Sequence, residues 1–419
     1  MGSSSRSASS AAADNDAGHD AATAGHDTNH AAAGARGWVA ERSALRAAVA
    51  LSAARHGCGT IARRRGLRVI LGSGANWLAH RARGRARYRT RSHAPRYSRL
   101  AERHSGIDLI NNPERSGDGD GVDADAQDAG DRCGVQTEDS YHGTHVAGTI
   151  GAASTNDRVG VAGGAWDVTV IPVRVLGRCG GELADIVSGI RWAAGIAPAV
   201  NAAGQQIVNR TQADIINMSL SIQAPCPASL QSAIDAAVAR NVVVVVAAGN
   251  KANQASLYAP ANCNNVLVVG ASDARGGLSF YSNFGPQIDL LAPGGDVFAD
   301  SDNDGRPDGV LSTRATTAGC YDPANSTSTE RCYYSFLQGT SMATPHVSAA
   351  LALLASQSGL RGRQLEDALM TRAIAPHGAE YGQIECARSR YATPITAGSP
   401  TCARPSGRGM LDLSRALGG

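Results

Sequence analysis

Short runs of contiguous apolar or β-branched residues recur along the chain at Thr169–Val175, Asp214–Leu220, Val242–Ala248, Val266–Gly270 and Ile288–Ala292. Continuous rather than alternating apolar character is the pattern of strands covered on both faces. Between several of these runs lie segments with helical spacing, such as Leu183–Ala194 and Ser229–Arg240. Strand, helix, strand in this order predicts an α/β fold, a doubly wound and mostly parallel central sheet with helices on both faces. Arg361–Ala373 reads as a further, more amphipathic helix. After the turn at Gly339 comes a run through Val347, Ala349, Ala350, Leu351, Ala352, Leu353 and Leu354. It is too continuous for a surface helix, so it predicts a buried one.

The first quarter has a different texture. Its opening is rich in Ala, Ser, Gly, His and Asp without apolar period, a composition that does not build a core. Arginine then accumulates at Arg63–Arg65 and at Arg81, Arg83, Arg85, Arg87, Arg89 and Arg91. The expected division is therefore residues 1–104 without a domain and one domain over residues 105–419. A basic arm for nucleic acid is the usual reading of such a run, but the formal charge of +3 over the whole chain gives no case for a nucleic-acid or membrane-surface partner. No apolar run is long enough to span a bilayer. The nearest thing to a signal peptide, Leu45–Ala54, is short, far from the start and broken by Arg46.

Cysteine usage bears on the compartment. Cys58 stands apart, and Cys133, Cys179, Cys226, Cys263, Cys320, Cys332, Cys386 and Cys402 follow it. None of these eight forms a tight C-x-x-C ligand pair, which argues against zinc. Four disulfides in an oxidising compartment fit better. Spacing alone does not fix their connectivity; pairing in chain order is one arrangement.

Three segments carry candidate chemistry. In Gln338-Gly339-Thr340-Ser341-Met342-Ala343 a glycine turn delivers Ser341 to a helix N-terminus, where free N–H groups favour developing negative charge. On its own that serine reads first as an N-cap on a core helix. In Tyr141-His142-Gly143-Thr144-His145 two histidines three apart suit metal ligation or a satisfied core position. Asn250, ending Val242–Asn250, reads by itself as a turn residue.

Taken together and in this order, the three segments resemble the motifs of subtilisin-like serine peptidases, the subtilases, with the likeness running from about Gly106 to Gly407-Arg408-Gly409-Met410-Leu411-Asp412. The resemblance implies an endopeptidase acting on protein or peptide substrates as a secreted monomer. It assigns His142 as general base, Ser341 as nucleophile and Asn250 as the side-chain donor to the oxyanion. Those types suit the chemistry. A serine hydroxyl needs a neutral imidazole to take its proton, and the tetrahedral oxyanion needs fixed donors. The resemblance also places substrate backbone, as an added strand, against Leu176–Leu183 with Gly180 and Gly181, and against Ser219, Leu220 and Ser221. Where many relatives carry glycine after Ser-Leu, this chain has Ser221-Ile222, which leaves the preference for the P1 side chain open.

The family's triad acid is missing. Subtilases carry it in an apolar strand ending Asp-Thr-Gly or Asp-Ser-Gly upstream of the histidine, and no such segment exists here. Asp108, in Gly106-Ile107-Asp108-Leu109-Ile110, matches a stretch downstream of the acid in relatives. The genetic code offers an explanation. Arg85-Ala86-Arg87-Tyr88-Arg89-Thr90 back-translates to codons that, read one base later, can give Val-Leu-Asp-Thr-Gly. The arginine-rich stretch is therefore expected to be an out-of-frame translation, with the frame restored before Gly106. Lys251 as the lone lysine fits a GC-rich gene, whose shifted frames are rich in arginine.

Two acidic clusters complete the picture. Asp118, Asp120, Asp123 and Asp125 precede the histidine motif, and Asp300, Asp302, Asp304 and Asp308 form a loop with the spacing of an EF-hand start but Leu311 at its twelfth position. Carboxylates on glycine-rich loops suit Ca²⁺ or simply a solvated turn; the resemblance implies structural calcium. Two other functions are weighed against the peptidase. A catalytically silent homologue acting as a peptide-binding module would follow from a real loss of the acid. A basic-arm nucleic-acid binder would require the first hundred residues to be genuine.

Overall fold

The computed structural model describes residues 67–71, 106–134, 139–152, 161–165, 168–316, 332–372, 374–375 and 407–412. Its strands are β1 (Leu67–Leu71), β2 (Ile107–Asp108), β3 (Val168–Arg174), β4 (Ala199–Val200), β5 (Gln206–Ile207), β6 (Ile215–Met218), β7 (Ile222–Gln223) and β8 (Val243–Ala247). They continue as β9 (Tyr258–Ala259), β10 (Leu267–Ser272), β11 (Leu290–Pro293), β12 (Val310–Thr316), β13 (Cys332–Leu337), β14 (Ile374–Ala375) and β15 (Met410–Leu411). The helices are α1 (Pro113–Ser116), α2 (His142–Gly151), α3 (Leu183–Ala193), α4 (Ala228–Val238), α5 (Thr340–Ser358) and α6 (Gly362–Arg372).

Nine strands form one sheet in the order β14-β15-β11-β10-β8-β6-β1-β3-β2. Every neighbouring pair is parallel except β14 with β15. The five strands expected from the apolar runs are β3, β6, β8, β10 and β11, each within a few residues of its predicted bounds. Their residues are buried almost throughout because both faces are covered. One apolar cluster joins Val146 and Ile150 of α2, Met342 to Ala355 of α5 and Leu365 of α6 to the sheet. The opposite cluster joins Ile190 and Trp192 of α3 and Leu230 and Ile234 of α4 to the other face. The doubly wound arrangement expected from the sequence is thus the one observed.

The position between β3 and β6 is filled by β1, which comes from upstream of residue 105 and pairs Leu67 with Val168 and Val69 with Ile215. Arg85–Thr90, the stretch with the shifted-frame reading, lies outside the described residues.

Helix α5 runs unbroken for 19 residues through the predicted buried run, and α2 packs against it. The hairpin β12–β13 holds α2 in place from the other side. Ser312 Oγ donates to His145 O at 2.8 Å and Thr313 Oγ1 to Thr144 O at 2.9 Å. The approach is so close that a Cβ on Gly148 would collide with both hydroxyls.

Two disulfides are present among the described residues, Cys133–Cys179 and Cys226–Cys263, as chain-order pairing has it. Cys320, Cys386 and Cys402 lie outside the described residues, as does the side chain of Cys332.

Candidate active site

Ser341 is the second residue of α5, directly after Gly339, whose φ of 148° sets the turn. Pro345 sits one turn further on and lacks the N–H that would bond the carbonyl of Ser341. That carbonyl is taken instead by Ser219, whose Oγ donates to it at 2.8 Å. The hydroxyl of Ser341 donates in turn to Ser219 O at 3.4 Å. Behind Ser219 the bonding continues through Asn217 Nδ2, which donates to Ser219 Oγ at 3.0 Å, and Ser348 Oγ, which donates to Asn217 Oδ1 at 2.8 Å. A helix, a proline and the end of β6 thus fix one serine.

Asn250 follows β8 and is exposed, yet its side chain is anchored. Asn250 Oδ1 accepts from both the N–H and the Oγ1 of Thr340, each at 2.8 Å. Asn250 Nδ2 and Ser341 N both lie beside the turn that delivers Ser341: a Cβ built on Gly339 would lie 3.4 Å from the one and 3.6 Å from the other. Fixed N–H donors near the nucleophile are what a developing oxyanion requires.

His142 opens α2 and is half-buried, with its backbone N–H donating to Ser140 Oγ at 3.2 Å. Burial pushes its imidazole down to about 4, Asp131 opposes that shift, and Arg314 reinforces it. The imidazole is therefore neutral near pH 7, the form in which a general base acts. Asp131 reaches the site through Ser140, accepting from Ser140 N at 2.5 Å and from its Oγ. Arg314 Nε donates to Ser140 O at 2.8 Å. The second histidine of the motif, His145, is fully buried and shares its Nε2 between Val310 O (3.0 Å) and Ser335 O (3.2 Å). It staples α2 to the hairpin, the core role that a histidine pair allows.

The two segments expected to take substrate differ in build. Gly177 and Gly180 bond each other at 3.0 and 3.1 Å, closing a tight turn that Cys179 ties to Cys133. Leu176 packs into the α3–α4 cluster beneath it, and a Cβ on Gly181 would collide with Val175 O. Leu176–Leu183 is therefore a braced turn rather than one extended edge. In the second segment Ser219 is buried, Leu220 half-buried and Ser221 exposed, with Ser221 Oγ close over Gly249.

The two acidic clusters part company. Asp118 is committed to the protein itself, accepting from Ser116 Oγ at 2.6 Å and pairing with Arg174 at 3.1 Å. Asp123 and Asp125 cap the turns that follow them, accepting from Asp125 N and Gln127 N, and Asp120 is exposed with its carbonyl bonded by Ser116. Arg174, fully buried, also pairs with Asp108 and Asp128, so a guanidinium occupies the middle of this acidic region. Asp108 is thereby a buried partner of Arg174, not an acid facing His142. By contrast, Asp300, Asp302 and Asp304 each offer a carboxylate oxygen within 4.8 Å of the others, all exposed, the one such trio among the described residues. Asp308 is buried and braces the loop by accepting from Ser301 N at 2.8 Å.

Comparison with known proteins identifies the family. The subtilase family model matches residues 90–409. An extracellular protease of Xanthomonas campestris pv. campestris is 41% identical over 285 residues, covering 66% of this chain and 44% of that protein. An extracellular basic protease of Dichelobacter nodosus is 37% identical over 272 residues, covering 62% and 41%. The chain thus spans less than half the length of these two curated relatives. A solved protease of Pseudoalteromonas arctica aligns with a TM-score of 0.60 and 32% identity over 84% of this chain and 89% of that one.

Proposed function

The chain belongs to the subtilase family, and from that premise we propose that it is a secreted serine endopeptidase working through an acyl-enzyme at Ser341. The observation that supports the reading is that Ser341 N and Asn250 Nδ2 both lie beside the Gly339 turn, next to the Ser341 hydroxyl. In the mechanism Ser341 Oγ attacks the scissile carbonyl while His142 takes its proton. The oxyanion is held by Ser341 N–H and Asn250 Nδ2, and His142 returns the proton to the leaving amine. Water then repeats the sequence to release the acid product. Protein substrates run between Leu176–Gly181 and Ser219–Ser221. Secretion is supported by the two disulfides and by the extracellular relatives. No helix among the described residues is long and apolar enough to cross a membrane. Asp300, Asp302 and Asp304 fit Ca²⁺ as a structural ion, by their number, oxygen chemistry and mutual distances.

The want of an Asp-Thr-Gly or Asp-Ser-Gly segment favours a second reading, a catalytically silent homologue that binds peptides. In subtilisin itself, removing the triad aspartate lowers kcat by about 3 × 10⁴. Hydrolysis of a quenched fluorescent peptide that disappears on Ser341→Ala supports the peptidase. Peptide binding without hydrolysis supports the silent homologue. Resequencing the gene across the codons for Gly37 to Asn112 tests the shifted frame: Val-Leu-Asp-Thr-Gly in another frame restores the acid to the gene product.

A further inference from the structure

The bonding around Asn250 points away from the residues already assigned. Asn250 is exposed on a loop after β8, and an exposed loop is a poor place for a donor whose aim must hold to within a fraction of an ångström. Its own carbonyl oxygen is anchored by Thr340, but the backbone on either side must also be held. One buried side chain does this. Asn283, fully buried, donates from Nδ2 to Ala248 O at 2.8 Å and accepts at Oδ1 from Lys251 N (2.9 Å) and Asn253 N (3.2 Å). Its backbone N–H donates to Gly249 O at 2.8 Å. The four bonds bracket Asn250 on both sides, two before it and two after.

The fit is close. Gly249 has a φ of 101°, and a Cβ there would collide with Asn283 Nδ2. The segment around Asn283 continues the grip, with Ala252 N donating to Tyr281 O at 2.8 Å and Phe284 N to Asn253 O at 2.9 Å. A single planar amide supplies a donor to one side of the loop and an acceptor to the other. Asp in its place has no donor for Ala248 O, and an apolar residue leaves all three backbone groups without their partner.

We propose that Asn283 is a positioning residue for the oxyanion hole, aiming Asn250 Nδ2 by clamping residues 248–253. It touches no substrate. The inference rests on the reading of Asn250 as an oxyanion donor, so its test treats the two separately. Asn283→Ser removes the clamp, and the near-isosteric Asn283→Asp keeps the acceptor while removing the donor, which serves if the serine variant does not fold. Each is compared with Asn250→Ala and with the Asn283→Asp/Asn250→Ala double variant. Two quantities are read: kcat and KM on a peptide substrate, and the affinity of a peptidyl boronic acid, whose adduct at Ser341 carries a tetrahedral oxygen in the oxyanion position. The same peptide ending in a plain carboxylate is the ground-state control.

The expected result is a fall in kcat of about ten- to a hundredfold with KM nearly unchanged, since a donor is misaimed rather than deleted. Boronate affinity falls in parallel, the control peptide binds as before, and in the Asn250→Ala background the Asn283 change adds little. A merely structural role lowers the melting temperature but leaves kcat and boronate affinity at their parental values, or gives losses that multiply in the double variant; either overturns the proposal. If Asn250→Ala itself leaves boronate affinity unchanged, or the parent binds no boronate, the oxyanion reading falls and the proposal with it.

Discussion

Arg174 ends β3 fully buried, with the carboxylates of Asp108, Asp118 and Asp128 around it and Ser116 O accepting from its Nη2 at 2.5 Å. One guanidinium facing three carboxylates leaves excess negative charge out of water. Burial raises Asp108 from 3.8 to about 7 and Asp128 to about 6, each against the pull of Arg174. The sign follows directly. Asp108 is a carboxyl with a raised folded pKa, so between about pH 4 and pH 7 the folded state keeps a proton that the unfolded chain releases. Stability therefore falls as pH rises through that window. With about 1.4 kcal/mol per unit, the whole window is worth about 4 kcal/mol, of which about 2–3 kcal/mol lies between pH 5 and pH 8.

Asp108→Asn mimics the neutral acid and keeps an acceptor for Ile110 N, which now donates to Oδ1 at 2.7 Å. The test is urea unfolding at pH 5 and pH 8, followed by tryptophan fluorescence, in a Ser341→Ala background that rules out self-digestion. The parent should lose stability from pH 5 to pH 8 more steeply than Asp108→Asn, by about 2–3 kcal/mol, with the two nearly equal at pH 5. If Asp108→Asn is instead less stable than the parent at pH 8 by several kcal/mol, the Asp108–Arg174 pair is ionised and net stabilising, and the reasoning is refuted.

Three further outcomes are expected. Arg314→Gln removes the cation that lowers His142, so the acid limb of kcat/KM should move to higher pH, whereas Asp131→Asn should move it lower; a pH–rate series reads both signs. If Asp300, Asp302 and Asp304 hold Ca²⁺, the melting temperature should rise with Ca²⁺, fall with chelator and cease to respond in Asp302→Asn, the gain being about 2.7 kcal/mol at a hundredfold excess over Kd. Replacing Cys133 and Cys179 by serine frees a 46-residue separation, for which loop entropy predicts a loss of about 4 kcal/mol, measured by urea unfolding; an unchanged midpoint would show that the unfolded chain is not what the bond constrains.

Much of this molecule was legible beforehand, for reasons that differ by element. The strands β3, β6, β8, β10 and β11 were plain because burial on both faces demands contiguous apolar residues, and α5 because a helix surrounded by protein has no polar side. The hairpin β12–β13 was missed. Its inward hydroxyls Ser312 and Thr313 bond α2, and Ser335 meets His145 of α2 through its carbonyl, rather than fill an apolar core, so no hydrophobic alternation marks them. At the site, Ser341, His142 and Asn250 stood in recognisable segments, but Asn283 and Arg174 did not. Their significance is three-dimensional: one brackets a loop some 30 residues away in sequence, and the other meets Asp108 across 66 residues. The acidic run Asp118–Asp125 reads as a cation site because nothing in the sequence announces that Arg174 pairs with Asp118. The aspartate spacing at Asp300–Asp304 is local, and the structure brings a carboxylate oxygen of each of the three within 4.8 Å of the others.

The central claim is that Ser341 is an activated nucleophile, and covalent labelling tests it most directly. The purified chain is treated with a fluorophosphonate, digested, and the adduct located by mass spectrometry. The account predicts one adduct, on the peptide containing Ser341, absent in Ser341→Ala and much slower to form in His142→Ala. A chain that takes up no label at Ser341, or labels equally fast without His142, would contradict it and leave a protein with a subtilase fold whose serine does no chemistry.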